Sequence, residues 1–518
     1  MSGAVEAEDC VVRLLLVRNA AERPASVLAD FEDGASWTNR EALQQASAAA
    51  HALRGRGVRQ GDHVALFLPN GVDFLRAWWG CCLIGAVVVP VNLAYRGSIL
   101  AHLLDLAEPT LVIVDGPEQE QRLDGVGSRI VRLPATALAG ADRSLPALEQ
   151  ELGPWDLHAL ILTSGTTGPS KLSRCTYTLT YLGFAYLDDW ECGPEDTYLI
   201  DLPLFHLAAM YLTVRALSTR ARIAVRGGPA MSTYWEVARD TGATVAVAIS
   251  TMLSFLTAQP SRPAEREHRL RYLVGSPVPR ELPEFCRRFG IDAFITQYGS
   301  TEVPCCIVRT SEASMVPGYC GQVRADFDCR IVDAHDVELP HGQVGELIVR
   351  TTQPWMLTDG YVRNVEATAH AWRNGWFHTG DLFRRDEAGD HFFIDRSKDA
   401  IRRRGENISS FEVEAEVGSY PGIEEVACVP ERSDVEAEDE VKVWIVHRNH
   451  DLDLADLVRH LNDRMPAFMV PRYYEVVEEL PKTHTNRVLK AELRAQGNGP
   501  RTWDRETSRT PATLRRDR

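Results

Sequence analysis

Between residues 39 and 249 short apolar runs alternate with amphipathic stretches of helical length, and this alternation restricts the possible folds more than any other feature. Alanine and leucine recur at helical spacing from Asn39 to Gly55. Asp62 to Leu68 then reads as a buried strand, Pro69-Asn70-Gly71 as a turn, Val72 to Gly85 as a second helix and Ala86 to Val91 as a second strand. A further helix and strand span Ile99 to Val114. Gly116 to Pro154 is more polar and reads as a loop-rich insertion. The alternation then resumes, with helices near Tyr177 to Trp190, Ala209 to Ser218 and Thr233 to Thr241, and strands at Tyr198 to Leu202, Arg222 to Val225 and Thr244 to Ile249. Strands joined by helices of this length pair in parallel, because a parallel neighbour requires a crossover.

After Tyr319 the character changes. Cys329 to Val332 and Glu346 to Arg350 are short runs separated by Asp336 and Pro340-His341-Gly342, which predicts a smaller β-rich part. The fold class predicted is α/β: a large N-terminal domain of α/β subdomains over residues 1–397, with a small β-rich subdomain over about 319–397. A small α+β C-terminal domain follows over 398–497, and the polar, arginine-rich residues 498–518 read as a flexible tail.

The run Ala159 to Leu162 leads into Thr163-Ser164-Gly165-Thr166-Thr167-Gly168-Pro169-Ser170-Lys171. Backbone at Gly165 and Gly168 can approach an anion closely, the hydroxyls of Ser164, Thr166 and Thr167 add donors, and Lys171 adds a point charge. The loop reads as a phosphate cradle, and its spacing differs from G-x-x-x-x-G-K-[ST]. Taken alone it would serve equally as a polar turn between strands.

A formal charge of -16 argues against a general nucleic-acid binder. The N-terminus carries Glu6, Glu8 and Asp9 ahead of a short apolar run, the wrong order for a signal peptide, and the apolar stretch Cys81 to Leu93 is too short for a bilayer. Eleven cysteines without a Cys-x-x-Cys pair suggest reduced core residues, and a cytoplasmic location is expected. Of 56 basic residues only Lys171, Lys398, Lys442, Lys482 and Lys490 are lysines, so arginine is the default cation of this chain.

Further stretches follow the loop in order: Pro203-Leu204-Phe205-His206, Gly275-Ser276-Pro277, Tyr298-Gly299-Ser300-Thr301-Glu302, Gly345-Glu346-Leu347, Gly375-Trp376-Phe377-His378-Thr379-Gly380-Asp381-Leu382, Asp395-Arg396-Ser397-Lys398-Asp399 and Arg404-Gly405-Glu406-Asn407. Together they resemble the adenylate-forming superfamily of acyl-CoA synthetases, peptide-synthetase adenylation domains and luciferases, over roughly Val17 to Arg494. The resemblance implies ATP, Mg²⁺ and CoA as cofactors and a carboxylic acid, or its adenylate, as substrate. It places nucleotide at Thr163, Ser164, Gly165, Thr166, Thr167, Gly168, Ser276, Tyr298, Gly299, Asp381 and Arg396. Tyr298 would lie against the adenine, Asp381 would accept from the ribose hydroxyls, and Arg396 would reach ribose or phosphate. Lys171 and Thr301 would act at the phosphates and Glu302 would hold Mg²⁺. His206 and Gly275 would line the acyl pocket, together with the region Thr251 to Phe255, and a mainly apolar acyl group is favoured. Lys398 would be the hinge about which a mobile C-terminal domain turns between adenylation and thiol transfer. Arg404, Gly405 and Glu406 would serve CoA, Gly405 keeping the pantetheine path open, with Arg402, Arg403 and Arg404 near its phosphates.

Two positions depart from the family pattern. Leu172 stands where glycine usually follows the lysine, and the closing motif Pro481-Lys482-Thr483-His484-Thr485-Asn486-Arg487 ends in arginine where the family has its catalytic lysine. Guanidinium is broader, planar and more weakly hydrated than ammonium, so Arg487 is not a conservative replacement. Losing one preorganised contact to a transition state lowers a rate by roughly 100-fold to 1000-fold. Impaired adenylation is therefore expected, with thioesterification of an acyl-adenylate supplied by a separate adenylating enzyme as the main activity. The alternatives are a conventional two-step ligase in which Arg487, Lys482 or Lys490 suffices, and a nucleotide-binding regulatory relative without catalysis. A role in specialised metabolism and a homodimer are further expectations, with no nucleic acid or membrane partner.

Overall fold

The computed structural model describes residues 4–126, 130–163, 170–186, 191–276, 278, 282–309, 318–396, 400–403, 406–433, 438–448, 452–481, 488 and 490–507. The chain forms two compact units. The larger comprises Met1–Leu93, His102–Leu162 and Leu172–Asp395; the smaller comprises Ala94–Ala101, Thr163–Lys171 and Arg396–Arg518. No helix among the described residues is long and apolar enough to cross a membrane.

The larger unit is built on two sheets. One has six strands in the order Val131–Pro134, Leu111–Val114, His63–Phe67, Val87–Pro90, Leu157–Thr163 and Lys171–Thr176, and the first five are parallel. The helix Asn39–Gly55, packed on the helix Val72–Ile84, starts at Thr38, whose side chain and that of Glu41 cap each other's backbone. Its apolar stripe Ala42, Ala46, Ala49, Ala50 and Leu53 is fully buried. The neighbouring helix Val72–Ile84 meets this stripe at Gly80, where a Cβ would come within 2.7 Å of the Ala49 Cβ. Small residues on both sides thus let the two backbones pack closely.

The second sheet has fourteen strands. Val27–Phe31, Arg222–Val225, Thr197–Ile200, Val245–Ile249, Tyr272–Ser276 and Ala293–Tyr298 form its parallel part. Ile307–Arg309, Tyr319–Val323 and His391–Arg396 then continue it antiparallel, and Trp376–Arg385, Val344–Thr351 and Phe327–Val332 complete that end. The β-rich part expected from about residue 319 is therefore an extension of the parallel sheet and not a sheet of its own. Residues 116–154 also depart from the expectation of a loop-rich insertion: they hold the helix Pro117–Arg122 and the strand Val131–Pro134, paired in register with Leu111–Val114.

The smaller unit is α+β. Its four-stranded sheet runs Ile423–Arg432, Asp439–His447, Tyr473–Val477 and Trp503–Asp504, flanked by the helices Ser410–Gly418, Leu454–Arg464 and Lys490–Gln496. Val413, Cys428, Val443, Ile445, Leu457 and Leu461 are fully buried between them. The tail expected over 498–518 is corrected by this sheet. Trp503 and Asp504 pair with Tyr474 and Tyr473, and residues 508–518 lie outside the described residues.

Candidate functional site

The last parallel strand of the large sheet, Ala293–Tyr298, delivers Tyr298 at its carboxyl end, the end at which α/β sheets bind ligands. Tyr298 Oη donates a 2.6 Å hydrogen bond to Asp381 Oδ2, and both residues are more than nine-tenths buried. Burial first, and the Asp381 charge second, push the phenol well above its ordinary value, so it stays a donor. Phe383 meets the same ring edge-on, with centroids 4.6 Å apart.

Asp381 is held in place by its own strand and the next. Its N–H donates to Thr379 Oγ1 at 3.1 Å, and that hydroxyl donates to the Leu347 carbonyl at 2.7 Å. Glu346 accepts from Gly380 N–H at 3.0 Å and from Arg373 at 3.1 Å, and lies 3.1 Å from His378 Nδ1. Glu346 and Thr379 thus brace the aspartate. Sequence reasoning quoted both in motifs and gave neither a role; the available signal was a carboxylate and a hydroxyl in two motifs that pair in the sheet, with Glu346 opposite Leu382.

Beyond Tyr298 the chain turns tightly. A Cβ at Gly299 would lie 2.9 Å from Cys305 N and 3.0 Å from the Val303 carbonyl oxygen, backbone atoms that have no room to yield. Ser300 N–H donates to the Val303 carbonyl at 2.8 Å, while Ser300 Oγ accepts from the N–H groups of Glu302 and Val303, both at 3.2 Å. This turn carries Thr301 and Glu302. The Glu302 carbonyl accepts from Thr358 N–H at 2.8 Å, and Oε1 accepts from Tyr361 Oη at 3.1 Å. Burial, reinforced by the Glu302 charge, raises the Tyr361 phenol and keeps it protonated. A single aimed carboxylate suits Mg²⁺, which keeps several waters and takes one or two protein oxygens together with phosphate oxygens. Among the described residues no group of three or more His, Cys, Asp or Glu side chains is arranged for a metal.

His206 immediately precedes the helix Leu207–Thr219 with extended backbone, and its ring centroid lies 4.7 Å from that of Phe205. Asn70, in the turn read from sequence as Pro69-Asn70-Gly71, fixes this segment. Its side chain donates to the carbonyls of Leu202 and Arg226, at 2.9 and 3.0 Å, and accepts from Leu204 N–H at 2.8 Å. Gly275 and Ser276 end the strand Tyr272–Ser276 opposite Ala248 and Ile249. A Cβ at Gly275 would meet the Phe294 ring at 2.7 Å and the Ala248 carbonyl at 2.9 Å, so packing within the sheet already demands glycine there.

In the smaller unit Thr163 Oγ1 donates to the Lys171 carbonyl at 3.4 Å. Ser164, Gly165, Thr166, Thr167 and Gly168, together with Lys398, Arg404, Gly405 and Arg487, lie outside the described residues, as does the side chain of Arg396, whose backbone ends the strand His391–Arg396. Glu406 pairs with Arg403 in the hairpin of Ala400–Arg403 and Glu406–Ser409. Arg403 does not fit the expectation of a CoA-phosphate ligand. It is 1% exposed, its Nε lies 2.7 Å from Glu440 Oε2, and its NH1 donates to the carbonyls of Phe468 and Val470. Lys490 is also engaged, 2.6 Å from Glu414 and 2.9 Å from Ser410 Oγ.

The sequence model of AMP-binding enzymes matches residues 16–362, and that of the AMP-binding enzyme C-terminal domain matches residues 412–487. Crotonobetaine/carnitine–CoA ligase of Escherichia coli O157:H7 (strain EC4115 / EHEC) is 29% identical over 483 residues, which cover 88% of this chain and 92% of that protein. A double mutant of o-succinylbenzoate CoA synthetase from Bacillus subtilis, bound with its product analogue, matches in fold with a TM-score of 0.84 at 22% identity, over 93% of this chain and 98% of that one. ATP-bound MatB from Rhodopseudomonas palustris matches with a TM-score of 0.68 at 24% identity, over 94% and 99%. The two structural matches show a shared fold, and the match to the family model spans more than half of the sequence: this chain belongs to the AMP-binding enzyme family.

Proposed function

We propose that the chain is an acyl-CoA ligase, an acid–thiol ligase that uses ATP, Mg²⁺ and CoA. The observation that carries this reading is the buried Tyr298–Asp381 hydrogen bond beside the braced Gly299–Glu302 turn. It gives a ribose-accepting carboxylate on the strand Trp376–Arg385 and a cation-holding carboxylate in the turn that follows Tyr298, the hydrogen-bond partner of the first. The CoA ligase named among the relatives supports the same reaction class.

In the first half of the reaction a carboxylate oxygen attacks the α-phosphorus, the bond to the bridging oxygen breaks and pyrophosphate leaves. In the second half the CoA sulfur attacks the acyl carbon, AMP leaves with the bonding electron pair and the thiol proton passes to solvent. Asp381 takes the ribose hydroxyls, Tyr298 the adenine, Thr163 to Gly168 with Lys171 the phosphates, Thr301 the α-phosphate and Glu302 the Mg²⁺. Ser276, Gly299 and Arg396 complete the nucleotide contacts, and His206 and Gly275 belong to the acyl pocket. Lys398 is the hinge between residues 1–397 and 398–497, and Arg404, Gly405 and Glu406 meet CoA.

Arg487 weakens adenylation in this reading, and a separate enzyme supplies the acyl-adenylate. Lys490 does not stand ready as a substitute cation, since Glu414 and Ser410 hold it. The test compares acid plus ATP, Mg²⁺ and CoA with a synthetic acyl-adenylate plus CoA, in the wild type and in Arg487→Lys. Thioester from the adenylate only, with the first reaction restored in Arg487→Lys, is the expected result. Equal rates from both in the wild type would establish a conventional two-step ligase and overturn the split reaction.

A further inference from the structure

The C-terminal strand Trp503–Asp504 lies beyond the region matched by the family model, which ends at residue 487, yet it is built into the smaller unit. Asp504 receives a two-pronged contact from Arg472: Nε donates to Oδ1 at 3.3 Å and NH2 to Oδ2 at 3.2 Å. The remaining terminal nitrogen of Arg472 lies 3.5 Å from Glu440 Oε1, and Glu506 stands 3.7 Å from its Nε. Glu440 in turn pairs through Oε2 with the buried Arg403. Arg403 closes the hairpin opposite Glu406, and its NH1 also grips the carbonyls of Phe468 and Val470 at 3.1 and 3.0 Å. Four charged side chains of alternating sign therefore run from the C-terminal strand to the base of the hairpin. All four are less than one-fifth exposed at the side chain.

A second tie converges on the same place. Asp439, the neighbour of Glu440 on its strand, accepts from Arg402 N–H at 3.0 Å. The strand Asp439–His447 thus grips the hairpin by its backbone at Arg402 and by its side chain at Arg403. Only the second grip depends on Arg472 and Asp504. A buried ion pair adds little net stability over an apolar replacement, but removing one member leaves the other charges uncompensated. Such a chain is better suited to fixing one geometry than to strengthening the fold.

We propose that Asp504 is a positioning residue for the thiol-transfer half of the reaction: through Arg472, Glu440 and Arg403 it sets the orientation of the hairpin of Ala400–Arg403 and Glu406–Ser409, between which Arg404 and Gly405 fall in the sequence. This rests on the reading of Gly405 as part of the CoA path. Asp504 touches no substrate, and its effect is on KM for CoA.

The test uses the full chain with Asp504→Asn, Asp504→Glu as the conservative variant, and hydrogen exchange at the amides of residues 400–409. Asp504→Asn keeps the shape and removes the charge. It is expected to raise KM for CoA roughly tenfold, as for the loss of a charge-assisted bond, with pyrophosphate release from acid and ATP unchanged. It is also expected to speed exchange in the hairpin, and Asp504→Glu restores both values. Unchanged exchange and unchanged KM in Asp504→Asn overturn the proposal, as does a loss confined to melting temperature. If the wild type forms no thioester from any acyl-adenylate, the ligase reading fails by itself, and the exchange result still decides whether Asp504 orders the hairpin.

Discussion

Replacing Tyr298 by phenylalanine removes one oxygen atom and with it the 2.6 Å hydrogen bond to Asp381. Both partners are buried, so water does not readily take the vacated place, and Asp381 loses one donor. Loss of a hydrogen bond to a charged group in such a setting lowers stability by about 1.5 to 3 kcal/mol. The ring itself stays packed on Phe383, so no cavity contributes. For a unit of this size the loss corresponds to a melting temperature lower by roughly 2 to 4 °C. If the ribose hydroxyls donate to Asp381, bound nucleotide supplies donors in place of the one lost. The gap between wild type and Tyr298→Phe should therefore shrink by about half at saturating AMP, because the ligand stabilises the variant more than it stabilises the wild type. Differential scanning fluorimetry with and without AMP, together with calorimetric titration, measures both quantities. A gap of the same size with and without nucleotide would refute the assignment of Asp381 to the ribose, and the absence of any gap in the free protein would refute the hydrogen bond itself.

Gly299→Ala forces a Cβ to within 3.0 Å of three backbone atoms of Val303 and Cys305, and should destabilise the protein by about 1 to 3 kcal/mol while weakening AMP binding, measured by urea unfolding and titration. Burial pushes the Asp201 carboxyl up to about 7, opposed by bonds from its own and the Leu202 N–H groups and by Arg226, and its Oδ1 has no partner among the described residues. The folded state holds this proton more tightly than the unfolded chain, so the full stability is present at acid pH and declines as pH rises toward about 7. Asp201→Asn should accordingly be more stable than wild type at pH 8 by about 2 to 4 kcal/mol, with the difference vanishing near pH 4; equal unfolding midpoints at both pH values would contradict this. Lys442 is fully buried against Glu475 at 3.0 Å and also donates to the Gly497 carbonyl. Lys442→Met leaves Glu475 the Thr502 hydroxyl at 2.8 Å and the exposed Arg501 at 3.9 Å but no buried cation among the described residues, and should lower stability by about 3 kcal/mol and make the chain after Gly497 sensitive to protease.

Periodicity is a local property, and the parts of the fold it governs were readable directly. The helix expected over Asn39 to Gly55 is present with those bounds, and the strand expected over Arg222 to Val225 likewise. Where pairing decides, local composition misleads. Val131–Pro134 sits at a sheet edge with only Leu133 buried, so its pattern looks like loop. Trp503–Asp504 is polar and short, and its place depends on Arg472, which is distant in sequence. Arg402, Arg403 and Arg404 look like one solvated charge run, yet Glu440 draws the middle one into the core. In the site the motif order pointed to Tyr298, Glu302 and Asp381. That the first and last are bonded to each other, that Tyr361 holds Glu302, and that Glu346 braces the strand of Asp381 follow from tertiary pairing, which sequence does not display.

The unbroken fourteen-stranded sheet has a consequence for recombining this enzyme with its relatives. A graft that exchanged residues 319–396 would leave Ile307 and Val308 facing foreign partners in place of Val323 and Gln322. Any mismatch there opens a raw strand edge next to Tyr298, which invites pairing with another chain. Crossovers placed so that both halves of the sheet come from one parent keep that seam closed.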